Sequence, residues 1–420
     1  MRYVIIGASA AGLSAAQTIR ETDPNGQITV LTGEKYYPYS RPSISYLLKG
    51  TVEEKRMFLK KPQFYADHNI NVITGTRVSK IDREKKVVKA GRKEYPYDKL
   101  CLATGSKPFV PHVENAQGCK NVFTFLDLAS AKALKKAVNK NTKAVVIGAG
   151  LIGMKAAEGL SKICGSVDVA ELSPRVLPSI LDEKSAVFVK KYLEEHGISF
   201  HLQDTVVKAN VKNGAVQSVE LKSGKTLECS VLVIAVGVRP ETELAEKAGL
   251  EVNRGILIDQ TTMQTSDRDI YAAGDCTVSV DMLDGSNKII ALWPNAVYQG
   301  MAAGSHMAGG DLETGGVYSV NAIDFYGLRI CTCGLINATG AQYSDRVKTD
   351  GNAYKRLIFE GTRLVGFVLI NSSENAGIYT DLIAKKVDLS TLEGDIMETP
   401  SLFLFDRKTR TQKLTGGIAL

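Results

Sequence analysis

The stretch KAVVIGAGLIGMKAAEGL, residues 143–160, and its earlier counterpart RYVIIGASAAGLSAAQTI, residues 2–19, decide the fold of this 420-residue chain. In each, a short apolar run closes on glycine and an apolar pattern of helical period follows, so each reads as strand, glycine turn and helix. Such a turn leaves backbone N–H groups free at a helix N-terminus, where the helix dipole favours negative charge. Glycine is needed there to twist the backbone and to let a pyrophosphate approach. Gly148, Gly150 and Gly153 complete Gly-x-Gly-x-x-Gly, whereas Gly7, Ser9 and Gly12 give Gly-x-Ser-x-x-Gly, one glycine short. Two copies of one βαβ opening, about 140 residues apart, imply two dinucleotide sites.

Each turn is followed by an acid at the end of the next apolar run. Glu34 follows the run 27–31 and Glu171 follows 166–170, near the offset of about 20 residues at which a carboxylate accepts from a ribose hydroxyl. At the second turn such a carboxylate repels a 2′-phosphate, so NADH is favoured over NADPH. Arg175 is the nearby feature that pulls the other way. Glycine turns that only pack helices on sheets account for one of these motifs better than for both.

Three further buried-looking strands end in turn residues: 99–103 before Thr104 and Gly105, 231–236 before Gly237, and 269–273 before Gly274 and Asp275. From about Tyr318 the pattern alternates and is rich in turns, as in 355–359 and 364–370, which reads as an antiparallel sheet with flanking helices. The expected fold class is α/β, with two Rossmann-like dinucleotide-binding domains and a C-terminal α+β domain. The expected boundaries are 1–115 with 245–317 for the first domain, 116–244 for the second and 318–420 for the third.

Composition excludes several function classes. The net charge is +7, but Lys and Arg are scattered among acids, and no basic stripe for nucleic acid is found. Lys132, Lys135, Lys136, Lys140 and Lys143 have helix-compatible spacing and read as a solvated face more readily than as a docking patch, although an acidic protein partner stays open. No apolar run nears the roughly 18 residues of a membrane span, and residues 1–20 are broken by glycines unlike a signal peptide. Seven cysteines without paired spacing suit a reducing compartment, so the cytoplasm is expected. Five histidines form no ligand spacing, so no metal site is expected.

The two turns, Ala103-Thr104-Gly105, the segment 235–240 and Tyr271-Ala272-Ala273-Gly274-Asp275 come in a fixed order along about the whole chain. In that order the chain resembles the FAD-dependent pyridine nucleotide-disulfide oxidoreductases. Tyr39-Ser40-Arg41-Pro42 is most similar to NADH:rubredoxin oxidoreductases and to the flavoprotein part of NAD(P)H nitrite reductases. The resemblance implies FAD at the first site, held by Gly7, Ser9, Gly12 and Gly274, with Glu34 on the adenosine ribose and Thr104 and Gly105 near the diphosphate. It likewise implies Asp275 on the ribityl chain and Arg41 and Pro42 along the isoalloxazine side. At the second site it implies NAD on Gly148, Gly150, Gly153, Glu171 and Gly237. The third domain is implied as a subunit interface, in a homodimer, or as a flavin cover.

The chain also departs from that family. Members that reduce disulfides or peroxides relay electrons through a thiol, yet residues 1–100 hold no cysteine, and Ser43 stands about where the single redox cysteine would be. Cys331 and Cys333, about 6.6 Å apart on one strand face, read as packed thiols, and Cys276 after Asp275 is given no catalytic role. Where many relatives have glutamate two residues past the last glycine, this chain has Lys155. It either faces the flavin, or points to solvent or pairs with Glu158 or another acid. Lys155, Arg41 and Ser43 are thus the candidate groups beside the flavin, and Trp293 either stacks near it or fills an interdomain gap.

The function implied is transfer of hydride from NADH to FAD, then of electrons directly to a one-electron carrier such as rubredoxin or another iron–sulfur protein. The partner is expected to be small and acidic. Two alternatives stay open: the diaphorase component of a nitrite-reducing system, and a nucleotide-sensing flavoprotein with incidental turnover.

Overall fold

The structure is a computed structural model and describes residues 1–313, 316–391 and 394–401. Its first sheet has five parallel strands in the order Ile270–Ala272, Lys99–Leu102, Arg2–Ile6, Gln27–Leu31 and Ile70–Ile73. Its second sheet repeats the plan with Ile198–Leu202, Ser166–Glu171, Lys143–Ile147, Val231–Ile234 and Val122–Thr124, again all parallel. In both, the strand before the glycine turn is central and its apolar residues are buried, as a parallel sheet covered on both faces requires. The acid-bearing strand lies on one side of it. The backbone N–H of Gly7 donates to Leu31 at 2.8 Å and that of Gly148 to Ala170 at the same distance, so the two turns leave their sheets alike.

The third sheet is antiparallel, in the order Val320–Phe325, Leu328–Gly334, Arg363–Ile370, Ala353–Glu360 and Tyr343–Asp350. The helix Ala376–Ala384 covers it through Tyr379, Leu382 and Ile383, which pack with Leu357 and Phe367. The α+β reading of this region therefore holds for its described residues, and 402–420 lie outside them.

Two three-stranded antiparallel meanders lie within 80–96, where the sequence alternates from Val87, and within 206–228, which had no counterpart in the sequence. Each leads from an edge strand of its parallel sheet, Ile70–Ile73 or Ile198–Leu202, to a strand beside the central one, Lys99–Leu102 or Val231–Ile234. The two nucleotide units are joined by short paired strands, Ser106–Pro108 against Val238–Pro240. We propose the domain boundaries given above on this sheet membership, since the strand at 270–272 completes the sheet begun at residue 2.

Helix Ala10–Thr22 crosses helix Trp293–Met307 at very close range. A Cβ on Gly300 would stand 2.2 Å from the Ala11 carbonyl oxygen, and one on Gly304 would stand 2.5 Å from that of Ala15. Ala11 and Ala15 thus leave room for the second helix only because it presents glycines to them. Among the described residues no helix is long and apolar enough to cross a membrane.

Candidate functional site

Free helix N-termini mark the two turns. Ser9 caps Ala10–Thr22 and Gly150 caps Leu151–Ser161, and neither helix receives a side-chain capping hydrogen bond. Two other helices are capped by side chains, Asp127 and Ser130 forming a reciprocal capping box on Leu128–Ala137 and Asp182 accepting from Lys184 and Ser185 on Glu183–Glu195, whereas Trp293–Met307 and Ala376–Ala384 are uncapped as the turn helices are. An open N-terminus keeps its N–H groups and its partial positive charge available to an anion. Glycine is enforced by packing at Gly12, whose Cβ would lie 1.9 Å from the Gly7 carbonyl oxygen, and at Gly153, 2.0 Å from that of Gly148. At Gly150 nothing lies within 4 Å, so the missing side chain leaves open space in front of the helix.

One cavity of about 1240 Å³ runs from the first turn to the C-terminal sheet. Gly7, Ser9, Glu34, Arg41 and Pro42 line it, as do Thr104, Gly105, Gly274 and Asp275. Lys155, Leu151 and Ile152 of the second turn helix line it too, together with Trp293 and residues 320–324. Ser43 is not in its wall. The Ser43 hydroxyl donates to that of Ser40 at 2.8 Å, and the residue that does line the cavity is Ser45.

Glu34 is held by two groups the sequence reading did not connect to it. Its carboxylate accepts from Arg41 at 2.6 Å and from the Tyr39 hydroxyl at 2.7 Å, and that hydroxyl in turn accepts from the backbone N–H of Leu128. Arg41 therefore reaches the acid at the end of the second strand, and it also donates to the Leu126 carbonyl. Burial pushes the Asp275 carboxyl up, while the Ser106 hydroxyl, donating at 2.9 Å, opposes the rise. Gln299 accepts from the backbone N–H of Gly274 at 2.8 Å and donates to Ser279, fixing the turn before Asp275. No local pattern marks Gln299, because its role depends on helix Trp293–Met307 crossing the sheet.

The second acid folds back on its own turn. Glu171 accepts from the backbone N–H of Ala149 and from that of Ser173, each at 2.7 Å. Arg175 is turned away: its guanidinium donates to the Leu181 carbonyl at 3.2 Å and to Asn337 at 3.1 Å. Gly237 has φ +114° with no neighbour within 4 Å of a Cβ, and its carbonyl accepts from Phe109, so it sits at the link between the units. Gly148, Gly150, Gly153, Glu171 and Gly237 all lie outside the large cavity wall and are gathered at this second turn.

Lys155 makes the pairing with Glu158 expected of it and stands in the wall of the cavity. Its ammonium donates to Glu158 at 2.5 Å and to the Asp324 carbonyl at 2.9 Å. None of the seven cysteines stands in the cavity wall. Burial pushes the Cys101 and Cys276 thiols up, and the Cys276 thiol donates to the carbonyls of Leu102 and Ala273. A thiol held protonated and enclosed is a poor nucleophile.

Comparison with known proteins agrees with this geometry. Residues 1–300 match the family model of the pyridine nucleotide-disulphide oxidoreductases, and residues 320–387 match that of the rubredoxin NAD+ reductase C-terminal domain. The chain is 36% identical over 343 residues to an NADH oxidase of Methanocaldococcus jannaschii, covering 75% of each protein. It is 33% identical over 311 residues to a rubredoxin-NAD(+) reductase of Pseudomonas putida, covering 74% of this chain and 80% of that one. Among solved structures it is similar to the NAD-dependent persulfide reductase from A. fulgidus, with 28% identity and a TM-score of 0.85 over 99% of this chain and 84% of that one. The chain belongs to the pyridine nucleotide-disulphide oxidoreductase family.

Proposed function

We propose that this chain is an FAD-dependent oxidoreductase that draws electrons from NADH and delivers them directly to a small electron-transfer protein, rubredoxin or another iron–sulfur protein. One observation carries the reading: a single cavity without a cysteine in its wall joins an open first-turn helix to residues of the second-turn helix. When bound, FAD supplies the change from two-electron intake to one-electron release. The residues fit that group, because the first helix N-terminus is free for a diphosphate, Glu34 is an acceptor for ribose hydroxyls and Asp275 is a half-buried acceptor beside Ser106.

In this reading Gly7, Ser9, Gly12, Thr104, Gly105 and Gly274 form the first cradle. Arg41, paired with Glu34, belongs with the adenosine ribose and the adjoining diphosphate instead of along the isoalloxazine side expected from the resemblance, and Pro42 shapes the wall. Gly148, Gly150, Gly153 and Gly237 form the second cradle. There Glu171 presents its remaining lone pairs to an unphosphorylated ribose, while Arg175 is committed to Asn337 and gives a 2′-phosphate no partner. The chain's part in the reaction is to stack two rings and exclude water, which needs no acid or base.

An acidic face on the partner suits the net charge of +7. Lys132 and Lys135 are partly committed, to Glu54 and to the Leu47 carbonyl, whereas Lys136 and Lys140 stay exposed. Seven unpaired thiols suit a cytoplasmic address. The test is NADH oxidation with rubredoxin, ferredoxin-type proteins and low-molecular-weight disulfides as alternative acceptors. Turnover with an iron–sulfur protein and none with disulfides is expected. Turnover with disulfides alone contradicts the reading.

A further inference from the structure

Behind the cavity, charged side chains from the first nucleotide unit and the second turn helix meet on one buried carboxylate, beside a strand of the C-terminal sheet. Glu158, on the second turn helix, has a side chain only 1% exposed. One oxygen accepts from Lys49 of helix Ile44–Lys49 at 2.8 Å and from the backbone N–H of Tyr326, while the other accepts from Lys155. Two ammonium groups thus share one carboxylate, and the cluster carries a net charge of +1. Lys155 lines the cavity and Lys49 does not.

The Lys155 ammonium has little freedom to move. The rings of Tyr46 and Phe325 flank it at 5.2 and 5.0 Å, and the Asp324 carbonyl, on strand Val320–Phe325, takes its second hydrogen bond. The Asp324 carboxylate, also in the cavity wall, accepts from its own Gly327 N–H. Leu151 and Ile152 line the same stretch, so this is the end at which a nucleotide on the second turn meets one on the first.

We propose that Lys155 is a tuning cation: a fixed positive charge, positioned by Glu158 and the Asp324 carbonyl, that favours the electron-rich state of the cofactor bound in this cavity. The proposal rests on the functional reading for the cofactor's place and goes beyond it, since a reductase of this design needs no charge there. The Lys155 side chain is only 16% exposed, so its unit charge is less screened than one in open water, and reduction adds negative charge to the occupant. Lys155 thereby raises the tendency to accept electrons and sets how far the chain can push them onward.

The test is equilibrium titration of the FAD-loaded protein with dithionite and reference dyes, giving the midpoint potential of wild type, Lys155→Met, Lys155→Arg and Glu158→Gln. Lys155→Met is expected to shift the potential negative, and Lys155→Arg to return it toward wild type. Glu158→Gln is expected to shift it positive, because the cluster then carries +2, an opposite sign that loosened packing does not produce. Should Lys155→Met fail to fold, Glu158→Gln decides: a positive shift supports the proposal and an unchanged potential overturns it. A potential for Lys155→Met equal to wild type also overturns it. Because dithionite replaces NADH, the result stands whether or not NADH reduces the protein, so this inference and the functional reading fail separately.

Discussion

The two glycine turns share a backbone and differ in what surrounds them. At the first, Glu34 is held by side chains, Arg41 and Tyr39, that arrive from a loop beyond its strand. At the second, Glu171 is held by the backbone N–H groups of Ala149 and Ser173, within its own unit. The first turn helix has Ser14 and Gln17 where the second has Lys155 and Glu158. The second site is therefore a self-contained grip with a charge placed beside the shared cavity. The first is assembled by a loop that an occupant must share. In the proposed function, one motif written twice serves a tightly held cofactor and an exchangeable one through the residues outside the motif.

The largest effect tests the sameness. Gly12→Val and Gly153→Val each drive a side chain into a carbonyl about 2 Å away, so each is expected to cost more than about 3 kcal/mol and to block folding of its unit. Urea unfolding of both variants checks this, and a tolerated valine at either position separates the turns structurally.

Acid sensitivity comes next. Burial by itself would raise the Glu158 carboxyl, but the Lys155 and Lys49 ammonium groups outweigh it and hold the group below the ordinary carboxylate range. Its stabilisation is then complete above that range and is lost as pH falls through it toward the lowered value. Melting temperatures from pH 7 to 3 are expected to drop on acidification, with a shallower acid limb in Glu158→Gln. Parallel profiles for the two proteins would remove this difference between the helices.

The acids separate the sites by function. Glu171→Ala is expected to raise KM for NADH by about tenfold or more while FAD content stays at one per chain, because a charged hydrogen bond contributes about 1.5–3 kcal/mol. Glu34→Ala is expected to lower bound FAD and leave KM for NADH of the loaded fraction unchanged. Flavin absorbance per chain and steady-state kinetics measure both.

The smallest effect concerns caps. Asp127→Ala removes a capping box and is expected to cost about 1 kcal/mol. Ser9→Ala removes no capping bond and is expected to change the stability of the FAD-free protein by less than about 0.5 kcal/mol. Chemical denaturation resolves the two.

Both parallel sheets and their turns were legible in the sequence, because the glycine constraint is local: Gly12 and Gly153 must be bare wherever a strand, turn and helix pack this way. The third sheet was legible from alternation. The meander at 80–96 was legible only as alternation from Val87, and that at 206–228 not at all, since its outer strands are largely exposed and carry weak period-two signals. At the site, the acids were readable from spacing, but their partners were not. Arg41 reaches Glu34 only through the path of a loop, and Gln299 reaches Gly274 only through the crossing of two helices. Lys155 marked itself by breaking a pattern, and three-dimensional structure was needed to find that it lines the cavity and pairs with Glu158 together.

The most direct test of the central claim is anaerobic rapid mixing of the FAD-loaded protein with NADH, and separately with NADPH, while following flavin absorbance. Bleaching by NADH at a catalytically useful rate, with one NADH consumed per flavin and a much slower response to NADPH, is the expected result. A flavin that stays oxidised with both nucleotides would contradict the assignment of the second turn as the electron-donor site.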